Sequence, residues 1–424
     1  MSGYRNLHRE QIESTAIWDV ATSPLLLSTT KRDGCYRIWT ASADGLVRLY
    51  YVHEKTVEEK QQSSVLDASA LSMTCTHILL GSTQKPQQAG ISALGCTTVC
   101  AERNYVGEDD TAGDLVVASL GMSGVVRIWS FSENADADVV LSDNQPQKEV
   151  KCLQEFTVEN ATGTVMMICP PRVWTTAGTT DLCVAVACLD GTVAQVATGI
   201  ATPSRVPDQK EKEPTAAGTV LDRRGSQGSA VPLSIASHPK APVVAVGRQD
   251  GQIDILTSSS SSTLQQTTAD DARHRRHRLR LPGHDIGRDN NNSGLAIRAA
   301  AYTPDGNMLC AGNDAGALAV WDVNRPVSPM LAHYVQTAHA SWILDLVALP
   351  DSERFVTCGA DRKMHVWKLD QMYQPVHSFD SDQTVWTMAV QSRGHGAFDK
   401  NKTRATLRMA AGTETGRMQV LSLD

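Results

Sequence analysis

Short runs of apolar and small residues alternate with polar turns along the chain, on a period that suits strands rather than helices. One unit returns seven times: a small or apolar strand, a tight polar turn, then an alternating strand closing on a large side chain. It reads TASADGLVRLY (40–50), ASLGMSGVVRIW (118–129), ACLDGTVAQV (187–196), VGRQDGQIDIL (246–256), AGNDAGALAVW (311–321), TCGADRKMHVW (357–367) and AGTETGRMQVL (411–421). The turn position holds Gly45, Gly124, Gly191, Gly251, Gly316, Arg362 and Gly416. Five residues on stand Tyr50, Trp129, Val196, Leu256, Trp321, Trp367 and Leu421. An Asp-Gly pair supplies the positive φ angles that match strand twist. The period-two pattern behind it gives each strand one packed face.

A further apolar strand precedes five of these turns, as AIWDVATSP (16–24), PLSIASHP (232–239), IRAAAYTPDG (297–306), WILDLVALPD (342–351) and VWTMAV (385–390). Looser matches stand at ISALGC (91–96) and TVMMICPP (164–171). Three strands per unit, with a fourth in the variable connection, predict a four-stranded blade. Seven blades predict a single all-β propeller over residues 1–424. Successive turns lie 79, 67, 60, 65, 46 and 54 residues apart, against about 40–45 for an undecorated blade. The surplus is expected as disordered polar insertions near residues 130–149, 201–228, 257–294 and 391–404, where composition cannot bury enough apolar area to order the chain. The seventh unit lacks room for an outer strand of its own. Residues 3–9 are expected to supply it, because an open edge is a pairing hazard.

The units resemble WD repeats, in which a turn Asp, a strand Ser/Thr, a loop His and a strand Trp form a hydrogen-bonded set. The sixth copy carries all four, as His339, Thr357, Asp361 and Trp367. The first has Thr40 and Asp44, with Tyr50 in the Trp place and no His. The third and fourth keep only Asp190 and Asp250, the second has Trp129, and the fifth has Trp321 but Ala311 and Ala315 where the hydroxyl and the Asp belong. These residues are expected to lock their blades.

Net charge is −7, which argues against a general nucleic-acid binder. The ten cysteines form no CxxC pair, as expected for thiols in a reducing compartment. No secretory leader and no membrane span are legible, so the cytoplasm or the nucleus is expected. Walker, dinucleotide, HExxH and GxSxG signatures are absent, so neither catalysis, nor a cofactor, a metal or a small-molecule substrate is expected. His274 and His277, in HRRHR, lack partners at ligand spacing and read as a solvated loop. The arginines between Arg273 and Arg280 would give at most a weak, salt-sensitive RNA contact.

Trp18, Trp342 and Trp386 begin the first strands of units one, six and seven, and Arg298 holds the same place in unit five. First strands are innermost in a propeller, and these four units are consecutive once the ring closes. One arc of partner-binding residues is therefore expected on the top rim, with Trp and Arg as its anchors. The alternative for each Trp is packing between blades. Residues 297–424, with AIWDVA near the start, closely resemble the WD-repeat subunit of the superkiller (Ski) complex. That resemblance implies a non-enzymatic scaffold binding a tetratricopeptide protein, with an RNA helicase and RNA only indirectly, in exosome-mediated mRNA decay. It also implies a top face that captures peptides bearing an arginine followed by a large apolar residue, which an aromatic rim suits. Two other readings share the blade pattern. One is an adaptor of another assembly, in transcription elongation, chromatin, ubiquitin ligation or ribosome assembly. The other is a propeller hydrolase, for which Asp19 and Asp345 are the only hint.

Overall fold

Every regular element among the residues described in the computed structural model is a strand. Those residues are 4–13, 15–22, 36–54, 71–80, 96–103, 115–131, 148–169, 181–201, 215–225, 227–241, 243–257, 276–282, 295–324, 329–390 and 407–423. The strands form seven sheets, six of four strands and one of five, and the fold is a seven-bladed β-propeller. The chain divides into two compact units, Met1–Glu155 with Trp386–Asp424, and Phe156–Val385. Among the described residues no helix is long and apolar enough to cross a membrane.

In the second unit, blade three is Ala161–Cys169, Asp181–Cys188, Val193–Ala201 and Val220–Arg224. Blade four is Pro232–Ser237, Val243–Arg248, Gln252–Thr257 and Arg276–Arg280. Blade five is Ile297–Tyr302, Met308–Asn313, Leu318–Asp322 and Met330–Val335. Blade six is Ile343–Ala348, Arg354–Gly359, Lys363–Lys368 and His377–Asp380. Apolar side chains fill the space between neighbouring sheets. Ile297, Leu309 and Trp321 of blade five meet Ala245 and Ile255 of blade four, and Leu318 and Val320 meet Ile343, Phe355 and Trp367 of blade six. The middle strands bury both faces, which is why they read as nearly unbroken runs of small and apolar residues.

In the first unit, blade one is Ile17–Thr22, Tyr36–Ser42, Val47–Glu54 and Leu71–Leu80. Blade two is Cys96–Arg103, Leu115–Gly121, Val125–Phe131 and Gln154–Thr157. Of the ISALGC match only Cys96 lies among the described residues, where it opens the first strand of blade two. Blade seven is Val385–Val390, Arg408–Thr413 and Arg417–Leu423, and its outer strand is Tyr4–Gln11. That N-terminal strand pairs antiparallel with the last one, from Tyr4 opposite Leu423 to Gln11 opposite Arg417, with one bulge between Asn6 and His8. The closure expected of residues 3–9 is therefore present, and it runs two residues further. Blade one gains a fifth strand, because Lys148–Lys151 lies parallel to Leu71–Leu80. The chain leaves blade two, covers the edge of blade one and returns, with the Cys152 amide donating to Leu80 O at 2.8 Å and the Leu153 amide to Ile128 O at 2.7 Å. A charged fifth strand blunts an edge that would otherwise be open.

The four expected insertions need correction where residues are described. Val220–Arg224 falls inside 201–228 and Arg276–Arg280 inside 257–294, and both are outer strands. Removing residues 258–292 would take a strand of blade four with it. Lys148 and Glu149 of the fifth strand likewise fall inside 130–149. The greater part of these segments, all of 391–404 and His274 lie outside the described residues. Of the cysteines described as free, Cys183, Cys188, Cys310 and Cys358 are buried, and Cys75 and Cys152 are half-buried.

Candidate functional site

Blade six shows what its four polar residues do. The indole of Trp367 donates to Thr357 Oγ1 at 2.9 Å, and that hydroxyl donates onward to Nε2 of His339 at 2.7 Å. His339 in turn presents its Nδ1 hydrogen to the Asp361 carboxylate, 3.0 Å from each oxygen. Burial alone would raise the Asp361 carboxyl, but His339 and the amides of Ala340 and Lys363 outweigh it and hold the group below its ordinary value. His365 packs its ring 4.5 Å from that of His339. Burial first, then the neighbouring His339, pushes it down to about 4. The ligand atoms of His339, Asp361 and His365 lie within 4.8 Å of one another, a spacing that suits a metal. Both nitrogens of His339 and both oxygens of Asp361 are already spent on protein partners, so the group is a fastener rather than a cation site.

Blade one solves the same problem with different residues. Glu13 lies four residues ahead of Ile17, as His339 lies four ahead of Ile343. Its amide donates to Gly416 O at 3.1 Å, the bond that His339 makes to Gly316 O. Both glycines sit at positive φ, with that next carbonyl so near (2.3 Å and 2.2 Å from an added Cβ) that no side chain fits. The Glu13 carboxylate accepts from Thr40 Oγ1 at 2.5 Å and from Arg48 at 2.9 Å, while Arg48 also bonds Asp44 at 2.5 Å and the Tyr50 hydroxyl comes within 3.4 Å of Glu13. Glu13 and Arg48 thus complete a set that lacks its histidine. No motif search finds Glu13; only its register ahead of the first strand does.

Blades three, four and five use other polar contacts. Asp190 caps its own turn through Thr192, and Asp250 does so through the amide of Gln252. In blade five the buried Asn313 accepts from the amides of Ala315 and Ala317, standing in for the missing turn Asp. In blade four Arg248 pairs with Asp254 inside the protein and reaches Gly191 O and Ala230 O at 2.8 and 2.6 Å. Trp129, by contrast, has no hydrogen-bond partner for its indole among the described residues and acts by volume alone.

The carboxyl of Glu13 gives this architecture a pH signature. Burial pushes it up to about 7, and Arg48 and Thr40 draw it back only in part. The unfolded chain ionises near the ordinary carboxyl value while the folded chain still holds the proton. The stabilising contribution is therefore complete below about 4.5, declines as pH rises, and is gone above about 7, a change of at most about 3 kcal/mol. Glu13→Gln removes the titration. Melting followed by circular dichroism from pH 5 to 8 should show the variant gaining on the wild type as pH rises; parallel curves would rule this out.

The rim residues fall in both units. In the second, Arg298 grips Asp314 through two hydrogen bonds, 2.6 and 3.1 Å, and lays its guanidinium 4.8 Å from the ring centre of Trp342. Trp342 stays 45% exposed. The sequence placed Arg298 among the partner-binding anchors; in the structure its charge is engaged within the protein, where it props the indole. In the first unit Trp386 is 38% exposed and Trp18 is half-buried. Their strands run side by side: the Thr387 hydroxyl donates to Asp19 at 3.0 Å and the Val20 amide donates to Thr387 Oγ1 at 3.3 Å. Asp19 and Asp345 each accept from the next backbone amide, at 2.9 and 2.7 Å.

Residues 332–368 match the family model WD40: WD domain, G-beta repeat. That span contains His339, Thr357, Asp361 and Trp367. Among curated proteins the chain is 24% identical to Protein LST8 homolog of Drosophila melanogaster over 155 residues, 36% of this chain and 42% of that protein. It is 36% identical to Target of rapamycin complex subunit wat1 of Schizosaccharomyces pombe over 70 residues, 16% of this chain and 22% of that protein. The chain spans less than half the length of these relatives.

Proposed function

We propose that this WD-repeat β-propeller is a non-catalytic scaffold that holds short segments of partner proteins at its rim tryptophans, Trp342 in the second unit and Trp18 and Trp386 in the first. The observation that carries the reading is the Asp314–Arg298–Trp342 stack. A large indole is kept in water by a buttress that fixes its orientation, so a partner pays little to order it. Arg298 serves as a positioning residue.

Within that role we favour the WD-repeat subunit of a Ski-type complex, working in cytoplasm or nucleus with a tetratricopeptide scaffold and an RNA helicase. The support is the resemblance of residues 297–424, including HASWILDLVALPD and QTVWTMAV. A second reading, a subunit of a target of rapamycin complex, rests on the name of one relative. Purification of the tagged protein from native extract, with mass spectrometry of its companions, separates the two. Recovery of neither set sinks both.

The rim itself is tested by Trp18→Ala, Trp342→Ala and Trp386→Ala. Truncating a buried interface Trp loses about 2–4 kcal/mol, roughly 30- to 1,000-fold in affinity. Trp342→Ala and Trp386→Ala should melt close to wild type and fail to retain the companion proteins in the same purification. Unchanged recovery from both would place the interface elsewhere, and early melting by both would make them core.

A further inference from the structure

The second unit carries a cavity of about 350 Å³ between blades four and five. It lies at the strand ends opposite the Asp-Gly turns, and so opposite Arg298 and Trp342. One wall is built by His238. Its Nδ1 accepts from the amides of Lys240 and Ala241 at 3.1 and 3.0 Å, and its Nε2 donates to Gly306 O at 3.0 Å. That arrangement fixes a neutral imidazole, in keeping with burial lowering its basicity. Gly306, at φ +79°, comes so close that an added Cβ would stand 2.5 Å from the ring. The two loops are thus clamped together, and the cavity is preformed.

Its lining divides by chemistry. Val243, Ile255 and Val323 supply aliphatic walls. Tyr302 stacks edge-on against His238 at 5.1 Å, and its hydroxyl is buried with no hydrogen-bond partner among the described residues. Such an unsatisfied buried group costs about 1–3 kcal/mol. Lys240 is exposed and forms no ion pair among the described residues, and His277 faces the same space from the outer strand. The one carboxylate among the described lining residues is spent. Asp305 accepts from the Asn307 amide at 3.0 Å and side chain at 2.7 Å and from Thr303 at 2.5 Å.

We propose that this cavity is a second peptide-binding site, taking a partner segment with a bulky aliphatic side chain flanked by carboxylates. The aliphatic group fills the cavity and a carboxylate meets Lys240. The volume falls within the range of specific ligand sites, about 300–1,000 Å³. The charge of Lys240 at the cavity mouth selects acidic over basic flanks.

Fluorescence anisotropy with two labelled heptapeptides tests this, one with leucine between glutamates and one with leucine between lysines. Wild type should bind the acidic peptide at least ~10-fold more tightly than the basic one, and Lys240→Glu should abolish that preference. Tyr302→Phe should leave the acidic peptide bound as in the wild type and the melting temperature level or higher, because it deletes a buried group that no ligand reaches. Trp342→Ala should leave this binding untouched, which keeps the site separate from the rim. Equal or absent binding of the two peptides, or full affinity in Lys240→Glu, overturns the proposal.

Discussion

Trp367→Ala should cost about 3–5 kcal/mol, the usual range for emptying a buried aromatic site. The indole is 1% exposed, stacks on Phe355 at 6.5 Å and meets His365 edge-on at 5.9 Å. Its removal also leaves Thr357 without a donor, in the middle of the run that ends at Asp361. Trp367→Phe separates the two losses: most of the volume returns, and the missing hydrogen bond should cost about 1 kcal/mol. Urea denaturation of both variants beside Trp342→Ala checks the assignment. If Trp367→Ala unfolds at the same midpoint as Trp342→Ala, the four-residue set is not a fastener.

Deleting Tyr4–Gln11 should do more damage than any single substitution. The deletion strips a full ladder from Arg417–Leu423, a strand whose Met418, Val420, Leu421 and Leu423 are buried. It also cuts the approach to Glu13, which joins blade seven to the lock of blade one through Gly416, Thr40 and Arg48. The expected outcome is aggregation in gel filtration, or a melting temperature lower by about ten degrees or more, since one kcal/mol shifts a domain of 150–250 residues by about 2–4 °C. A monomer melting within two degrees of the wild type would mean that closure contributes little.

The two strands flanking the recurring turn of each blade were legible because two constraints coincide in sequence. A turn that demands positive φ is followed five residues later by a large residue that must be buried. Even Arg362, which replaces glycine, adopts φ 66° at that turn. The outer strands were not legible. RHRLR at Arg276–Arg280 has the composition of a solvated loop, yet it pairs with Gln252–Thr257, and Arg278 lies 3.3 Å from the buried Asp254. An outer strand needs only one partner and one half-buried face, so its sequence is weakly constrained. The polar fasteners followed the same logic. The set in blade six is spelled in family residues, whereas Glu13, Arg48, Arg248 and Asn313 are ordinary surface types that become visible only once the register brings them together. For the rim, sequence gave the exposed indoles but missed Asp314, which changes what Arg298 does.

Pairing Tyr4–Gln11 with Arg417–Leu423 also sets an order of events during synthesis. At about 5–20 residues per second, the first of these strands leaves the ribosome roughly 20–80 s before the second exists. Throughout that interval it is an unclaimed strand, and a neighbouring nascent chain offering the same Arg417–Leu423 sequence could take it. Crowded polysomes would then yield exchanged dimers joined through blade seven. A circularly permuted chain, with Tyr4–Gln11 placed after Leu423, would turn the slowest pairing into a local hairpin and remove the wait.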